Sequence, residues 1–426
     1  MLDLKYLRDN PQAVRNAIDA KQLPGAAETL DRLLMLDEEY RILRSDLEEK
    51  QARRNADSKK IGDLKRRGEN ADDLIREMGE LSDDVKKLEE KARVLAAQIE
   101  ELMLEIPNPP HDSVPYGRSE HDNVVVFEKG ERRDFSFTPK PHWELAKARG
   151  WLDLEAGAAI TGSGFPVFRG DGARFMRALV QFLLNTLADE GYTEVMVPLM
   201  VNAESATGTA QLPDKEGQMY EVSDGFYMIP TAETPVTNLH RGEILDTTDL
   251  PIRYAAYSPC FRREAGSYGK EVRGINRVHQ FDKVEMVQFV DPATSYDVLE
   301  AMTEFSEGVL AKLGLPYRRL SMCSGDMGFA QAKKYDLEVW SAGQDRWLEV
   351  SSVSNFETFQ ARRLQTRYRD GGAQGQGKPN YVHTLNGSCL GMVRTWAALV
   401  EHYQNEDGTV DVPDVVRPYM GKDRLS

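Results

Sequence analysis

Three clusters in the second half of this 426-residue chain carry side chains suited to phosphate, a nucleobase and a hard cation. The first runs Cys260-Phe-Arg-Arg-Glu-Ala-Gly-Ser-Tyr-Gly269 and resumes from Arg273 to Glu285. It reads as a strand, a Gly-rich loop and a returning strand, with Arg262 and Glu264 on one face. The planar fork of Arg262 can grip a carboxylate and a phosphate together, and Glu264 can accept from an adenine amino group. Phe281 can stack on a base, and Glu285 lies on the returning strand. The second cluster is Trp347-Leu-Glu349-Val-Ser-Ser352-Val-Ser-Asn355. Alternation predicts Glu349 and Ser351 on one face, with Ser352 reachable at a twist or bulge. Such oxygen ligands suit Mg²⁺, which takes a few protein oxygens beside phosphate oxygens. The third is His383-Thr-Leu-Asn-Gly-Ser388-Cys-Leu-Gly391-Met-Val-Arg394. Its small residues let a strand meet a helix closely, and Arg394 in that helix's first turns makes an anion site.

Each cluster has a plainer reading by itself: a solvated β-edge, a polar strand end, a tight strand–helix junction. Neither G-x-x-x-x-G-K-[ST] nor a G-x-G-x-x-G in a strand–turn–helix setting occurs. A nucleotide would therefore be held mostly by side chains. Cys260, Cys323 and Cys389 are far apart and form no C-x-x-C pair, which argues against a disulfide framework and against a zinc site.

The elements that must position these groups begin after a very different N-terminal segment, residues 1–105. Leu74, Met78, Leu81, Val85, Leu88, Ala92, Leu95, Ile99 and Leu102 alternate spacings of four and three, the 3.5-residue period of a coiled coil. Leu33, Leu36, Tyr40, Leu43 and Leu47 form a matching row, interrupted by polar Lys50, Arg54 and Asp57 before Ile61 and Leu64. Arg67-Gly68-Glu69-Asn70 between the rows supplies a reversal, so the two helices run antiparallel. Residues 41–67 hold ten Lys or Arg against five Asp or Glu, with Arg53, Arg54, Lys59, Lys60, Lys65, Arg66 and Arg67 crowding the tip. The segment fits a dimerising coiled coil and a phosphate-touching finger equally well. Residues 106–118, rich in proline, read as a stiff extended connector. Residues 119–426 mix helices with short runs such as Glu194-Val195-Met196-Val197 and Val284-Glu285-Met286-Val287, the pattern of one α+β domain.

A net charge of −15 disfavours coating nucleic acid nonspecifically and leaves local basic patches open. No apolar run approaches the ~18–20 residues of a membrane span, and the polar N-terminus is unlike a secretory signal. A cytoplasmic protein without a membrane partner is expected.

Together the clusters resemble the class II aminoacyl-tRNA synthetases. The segment Arg262–Glu264 is similar to their motif 2, the segment ending at Arg394 to motif 3, and the helix from Ala173 to the strand before Pro198 to motif 1. Within that class the resemblance is to the seryl-tRNA synthetase family. It is carried by Ile229-Pro-Thr231-Ala-Glu233, Gly266-Ser-Tyr-Gly269, His279-Gln-Phe-Asp-Lys-Val-Glu285, Val416-Arg-Pro-Tyr419, the IPNPPHDSVP connector and the N-terminal arm, over essentially the whole chain.

The resemblance implies an α+β catalytic domain built on an antiparallel sheet flanked by helices, preceded by a tRNA-binding coiled-coil arm. It implies a homodimer that uses ATP, L-serine and Mg²⁺, with tRNA(Ser) as acceptor and tRNA(Sec) as a second candidate. It assigns Arg262, Glu264 and Arg394 to catalysis. Thr231, Ala232, Glu233, Arg262, Glu285 and Ser388 are assigned to serine. Arg262, Arg263, Glu264, Arg277, Val278, Phe281, Glu349, Val350, Ser351, Ser352 and Arg394 are assigned to ATP, with Glu349 and Ser352 on the metal. Three positions depart from the family pattern: Cys389 and Ala210 stand where Gly is common, and Leu348 where Arg often precedes the metal-binding Glu, a contact Arg346 is placed to replace. A related ligase that loads a carrier protein would not need the arm. A regulatory paralogue would have no use for intact Arg262, Glu264, Glu349 and Arg394.

Overall fold

Two stripes of apolar residues at coiled-coil spacing bury each other when their helices pair. The computed structural model describes residues 1–264 and 273–426. It opens with α1 (Leu4–Asp9) and α2 (Pro11–Ala20), followed by α3 (Ala26–Arg66) and α4 (Asp72–Met103). Leu33, Leu36, Leu43, Leu47 and Ile61 of α3 are buried, as are Val85, Ala92, Leu95 and Ile99 of α4. Cross-ties fix an antiparallel register: Glu39 with Lys91 at 2.9 Å, Gln51 with Glu89 at 2.8 Å, and Arg53 with Glu77 at 3.9 Å. Gly68 turns the chain at φ +73°. The 41 residues of α3 make a rod about 60 Å long at 1.5 Å per residue.

The polar interruption of the seam survives by internal pairing. Asp57 is buried and meets Arg53 at 3.5 Å and Lys60 at 3.4 Å. Such pairs remove part of the tip's positive charge, since Arg66 also meets Asp63. Arg54 is half-buried in the seam, whereas Lys59, Lys65, Arg66 and Arg67 are exposed.

The chain divides into two compact units: Met1–Asp19 with Leu23–Pro107, and Ala20–Gln22 with Asn108–Ser426. The connector is pinned within the second. Asn108 is buried, and its amide donates to the carbonyls of Ala330 and Phe356, both at 3.0 Å.

The large unit is built on eight strands: β1 (Val124–Lys129), β2 (Thr193–Glu194), β3 (Ile252–Phe261), β4 (Gln280–Val290), β5 (Tyr317–Ser321), β6 (Lys333–Ser341), β7 (Arg346–Asn355) and β8 (His383–Gly391). Their spatial order is β1-β5-β6-β7-β8-β4-β3-β2, with β2 parallel to β3 and the other neighbours antiparallel. The helices that matter to the site are α5 (His142–Ala148), α6 (Gly170–Asp189), α7 (Glu233–Thr237), α8 (Ser295–Lys312), α9 (Phe359–Leu364) and α10 (Met392–His402).

Alternation sorts each strand's side chains. Val284 and Met286 of β4 and Leu337 and Val339 of β6 join Phe175, Leu179, Met302, Leu310 and Trp396 from α6, α8 and α10 in one core. The intervening residues face away from that core, and there the cavity lies. Glu194-Val195-Met196-Val197 yields only the edge strand β2. Val195 and Val197 pack inward on a smaller cluster, while Met196 is 95% exposed.

Candidate active site

The middle strands β6, β7, β8 and β4 and the loop after β3 enclose a cavity of about 470 Å³, a volume suited to a small ligand. Phe281, Lys283 and Glu285 alternate along β4 and line it together. The cross-strand partner of Glu285 is Ser388, because the β4–β8 register slips between Val284 and Glu285 and leaves Cys389 as the extra residue. Cys389 is completely buried in the core, which accommodates the departure at that position.

One group of charged side chains surrounds Glu233 and Glu285. Glu285 meets Lys283 Nζ at 2.7 Å and accepts from Ser388 Oγ at 3.4 Å. Glu233, at the start of α7, accepts from Gln360 Nε2 at 2.6 Å, and Gln360 Oε1 accepts from Thr384 Oγ1 at 2.7 Å. Burial and then the nearby Glu285 charge push the Glu233 carboxyl up to about 7. Thr231 Oγ1 accepts the backbone N–H of Glu233 at 3.2 Å. Ala232 has no exposed surface and does not line the cavity; its flanking residues Thr231 and Glu233 do.

A second group gathers around Glu349. Arg394 donates from Nε to the Asn276 carbonyl at 2.8 Å and from Nη1 to the Glu349 carbonyl at 3.0 Å, with the Glu349 carboxylate 3.8 Å away. Glu349 is open to the cavity yet lies deep among protein atoms. Burial opposes its charge, but Lys334, Arg394, Arg262 and Arg277 together outweigh it and hold the carboxyl below its ordinary value. Arg262 donates to the Pro230 carbonyl at 3.3 Å and lies 5.2 Å from the Phe281 ring centre. Arg277 bonds Glu264 at 3.3 Å. Glu264 holds φ +48°, a left-handed conformation that costs a residue with Cβ on the order of 1–3 kcal/mol and is common at functional sites.

A bulge decides which serine joins Glu349. The β6–β7 register slips between Leu337 and Glu338, so Leu337 pairs with Ser351 and Glu338 with Glu349, leaving Val350 unpaired. The skip returns Ser352, not Ser351, to the Glu349 face, and Ser351 Oγ is spent on the buried Ser388 carbonyl. Glu349 and Ser352 both line the cavity as oxygen donors, beside the cations Lys334 and Arg394. Among the described residues no cluster of three or more His, Cys, Asp or Glu is arranged as a metal cage. The two oxygens suit Mg²⁺, which takes a few protein oxygens and fills its shell with phosphate oxygens and water.

Val278, Val350 and Arg277 line the cavity, whereas Arg263 is exposed and does not. Leu348 is packed in the core, and Arg346 does not line the cavity. Gly266-Ser-Tyr-Gly269 lies outside the described residues. Lys283, Lys334, Asn276 and Asn386 line the cavity without having been singled out in the sequence. Period-two alternation from Phe281 to Glu285 carries the signal for Lys283; Lys334 offers none, since its strand reads as an ordinary amphipathic run.

Two family models match: the seryl-tRNA synthetase N-terminal domain over residues 1–110, and the class II core domain of the G, H, P, S and T tRNA synthetases over residues 219–403. The chain is 53% identical to a serine–tRNA ligase of Salinibacter ruber over 100% of this chain and 99% of that one. It is 49% identical to the serine–tRNA ligase of Carboxydothermus hydrogenoformans, at the same coverage of each chain. Among solved structures, seryl-tRNA synthetase from Pyrococcus horikoshii complexed with ATP superposes at a TM-score of 0.94 and 35% identity, covering 100% of this chain and 99% of that one. Cytoplasmic serine–tRNA ligase from Naegleria fowleri in complex with AMP gives 0.88 and 27% over the same shares.

Proposed function

The chain belongs to the seryl-tRNA synthetase family, and on that premise we propose how its residues divide the reaction. It activates L-serine with ATP to seryl-adenylate and transfers the seryl group to the 3′ end of tRNA. The observation that carries the division of labour is that Arg262 lines one cavity shared by the Glu233–Glu285 group and the Glu349–Arg394 group.

In the first step a serine carboxylate oxygen attacks the α-phosphorus of ATP, and the bond to pyrophosphate breaks. Arg262 bridges the carboxylate and the α-phosphate and offsets charge gathering on the phosphoryl oxygens. Glu264 accepts from the adenine amino group, and the purine lies between Phe281 and Arg394. Val278, Val350 and Arg277 border that slot. Glu349 and Ser352 would hold Mg²⁺, which would supply neutralising charge to the phosphates. In the second step a terminal ribose hydroxyl of tRNA attacks the seryl carbonyl, and AMP leaves. The protein contributes mainly position and charge, which can supply most of such a barrier reduction.

Thr231 and Glu233 receive the serine ammonium, and Glu285 and Ser388 enclose its hydroxyl. Lys283 pairs with Glu285 and orients it, so alanine would leave buried polar groups without their partner. Sites of this kind reject the analogue by on the order of 10⁴–10⁵. The experiment is serine-dependent exchange of pyrophosphate into ATP: serine should support it, and alanine at equal concentration should not. Comparable exchange with alanine would overturn the assignment of Glu285.

The proposed boundaries are an arm over residues 1–105, a connector over 106–118 and a catalytic domain over 119–426. The exposed basic residues near the arm's tip supply phosphate contacts to tRNA(Ser), and charging of tRNA(Sec) transcripts tests the second acceptor. A homodimer is supported by exposed Met196, Leu199 and Met200 after α6, an apolar surface suited to a second copy. No helix among the described residues is long and apolar enough to cross a membrane; the cytoplasm is the proposed location.

A further inference from the structure

Behind the proposed adenine slot lies a buried polar cluster that no step above uses. His142 at the start of α5 and Glu401 near the end of α10 both have fully enclosed side chains. His142 Nδ1 is 2.8 Å from Glu401 Oε1, while its Nε2 accepts the backbone N–H of Ile275 at 3.1 Å. With Nε2 an acceptor, the ring proton sits on Nδ1 and is donated to Glu401.

Glu401 collects further donors: the His142 backbone N–H at 2.9 Å, the Ser341 hydroxyl, the Gly343 N–H at 3.0 Å and Gln344 Nε2 at 3.1 Å. Burial opposes its charge, but the hydrogen bonds of His142 and Ser341 hold the carboxyl below its ordinary value. Gln344 then reaches the same loop as His142, accepting from Asn276 Nδ2 at 2.8 Å. The chain of bonds ends at the site, because the Asn276 carbonyl receives Arg394 Nε. Gly274 lets the loop approach so closely: at φ +66°, a Cβ there would lie 2.3 Å from His142 Nε2.

An enclosed carboxylate with five donors is costly to assemble and adds nothing that a leucine could not add to apolar packing. What it does supply is a fixed geometry, since a fully satisfied network has few alternative arrangements. We propose that His142, Glu401 and Gln344 are positioning residues. They fix the backbone of Ile275 and Asn276 and, through the Asn276 carbonyl, the plane of Arg394 against adenine. The proposal rests on the placement of adenine between Phe281 and Arg394.

The test compares His142→Asn with His142→Gln by pyrophosphate exchange, with ATP and serine varied separately. Asn can donate to Glu401 from where Nδ1 was but leaves the Ile275 N–H unpaired. Gln can place an oxygen near the Nε2 position and restore that acceptor. The KM for ATP should rise about tenfold in His142→Asn, the worth of one hydrogen bond to geometry. It should stay within about twofold of the parent in His142→Gln, and the KM for serine should hold in both. Equal ATP KM values in the two variants, or a joint rise for ATP and serine, would overturn the positioning role. Should both variants fail to fold, Gln344→Ala on its half-buried turn decides: an ATP-selective rise supports the proposal, an unchanged value overturns it. Arg394→Ala is the control for the premise. An unaltered ATP KM in that variant would displace adenine from Arg394, an outcome separable from every one above.

Discussion

The Glu233 carboxyl makes serine binding depend on pH in a calculable way. Its raised value, about 7, means that the empty site carries a protonated, neutral Glu233 below that pH and an anion above it. Serine keeps both its charges between pH 6 and 8, and its ammonium needs the anion. The apparent KM for serine should therefore scale as one plus the ratio of protonated to ionised Glu233. With a midpoint of 7 that ratio is about 0.1 at pH 8 and about 10 at pH 6, so the KM should rise about tenfold on acidification. Burial is the largest cause of the shift and the Glu285 charge the second, while the Gln360 bond works the other way. Glu285→Gln should accordingly move the midpoint down, and Gln360→Leu should move it up. The assay is pyrophosphate exchange at saturating ATP across pH 6 to 8, with the ATP KM at saturating serine as the internal control. A flat serine KM would refute the reasoning, as would an equal change in the KM for ATP. Glu233→Gln should bind serine weakly at every pH and lose the slope.

Three further outcomes are expected. Glu349→Ala should reduce pyrophosphate exchange by two orders of magnitude or more with the fold intact by circular dichroism, because the phosphates would lose their metal anchor; near-normal exchange in saturating Mg²⁺ would remove Glu349 from that role. Replacing residues 44–94 by a short Gly-containing turn should leave serine activation unchanged and lower tRNA charging by orders of magnitude. The salt dependence of charging should flatten as phosphate contacts are lost, and unimpaired charging would make the arm a structural coiled coil. Ala210 holds φ +65°, where a Cβ is strained, so Ala210→Gly should stabilise the protein by roughly 0.5–1 kcal/mol in a urea titration, strain relief exceeding the gain in unfolded-chain entropy. A loss of stability would contradict that account.

Much of the arm was legible because a coiled coil obeys a local rule. Spacings of four and three place Leu33 to Leu64 and Leu74 to Leu102 on single stripes, and Gly68 marks the reversal. Polar Lys50, Arg54 and Asp57 were equally visible as a weak stretch. That Asp57 would be buried and neutralised by Arg53 and Lys60 was not, because pairing depends on which rotamers the facing helix allows. The cavity's main residues were also legible, though by a different route. Arg262, Glu264, Glu349 and Arg394 stand in strings whose order resembles a known family, and the types themselves suit carboxylate, phosphate and adenine.

Alternation along β7 predicts the wrong partner for Glu349 unless the bulge at Val350 is known, and a bulge is settled by how β6 and β7 pair, not by either strand alone. Lys283 could have been read from its place two residues before Glu285. Lys334 could not, since nothing along its own strand points to Glu349. The raised carboxyl of Glu233 needs burial and the charge of Glu285, more than fifty residues on, while Gln360, more than a hundred on, opposes the shift. His142 and Glu401 are separated by 259 positions and carry no spacing signal at all. Short-range periodicity is written in the order of residues because the backbone repeats every 3.6 or 2 of them. Charge, protonation and fine orientation depend on distances between strands remote in sequence, and only the order of the sheet and its bulges fixes those.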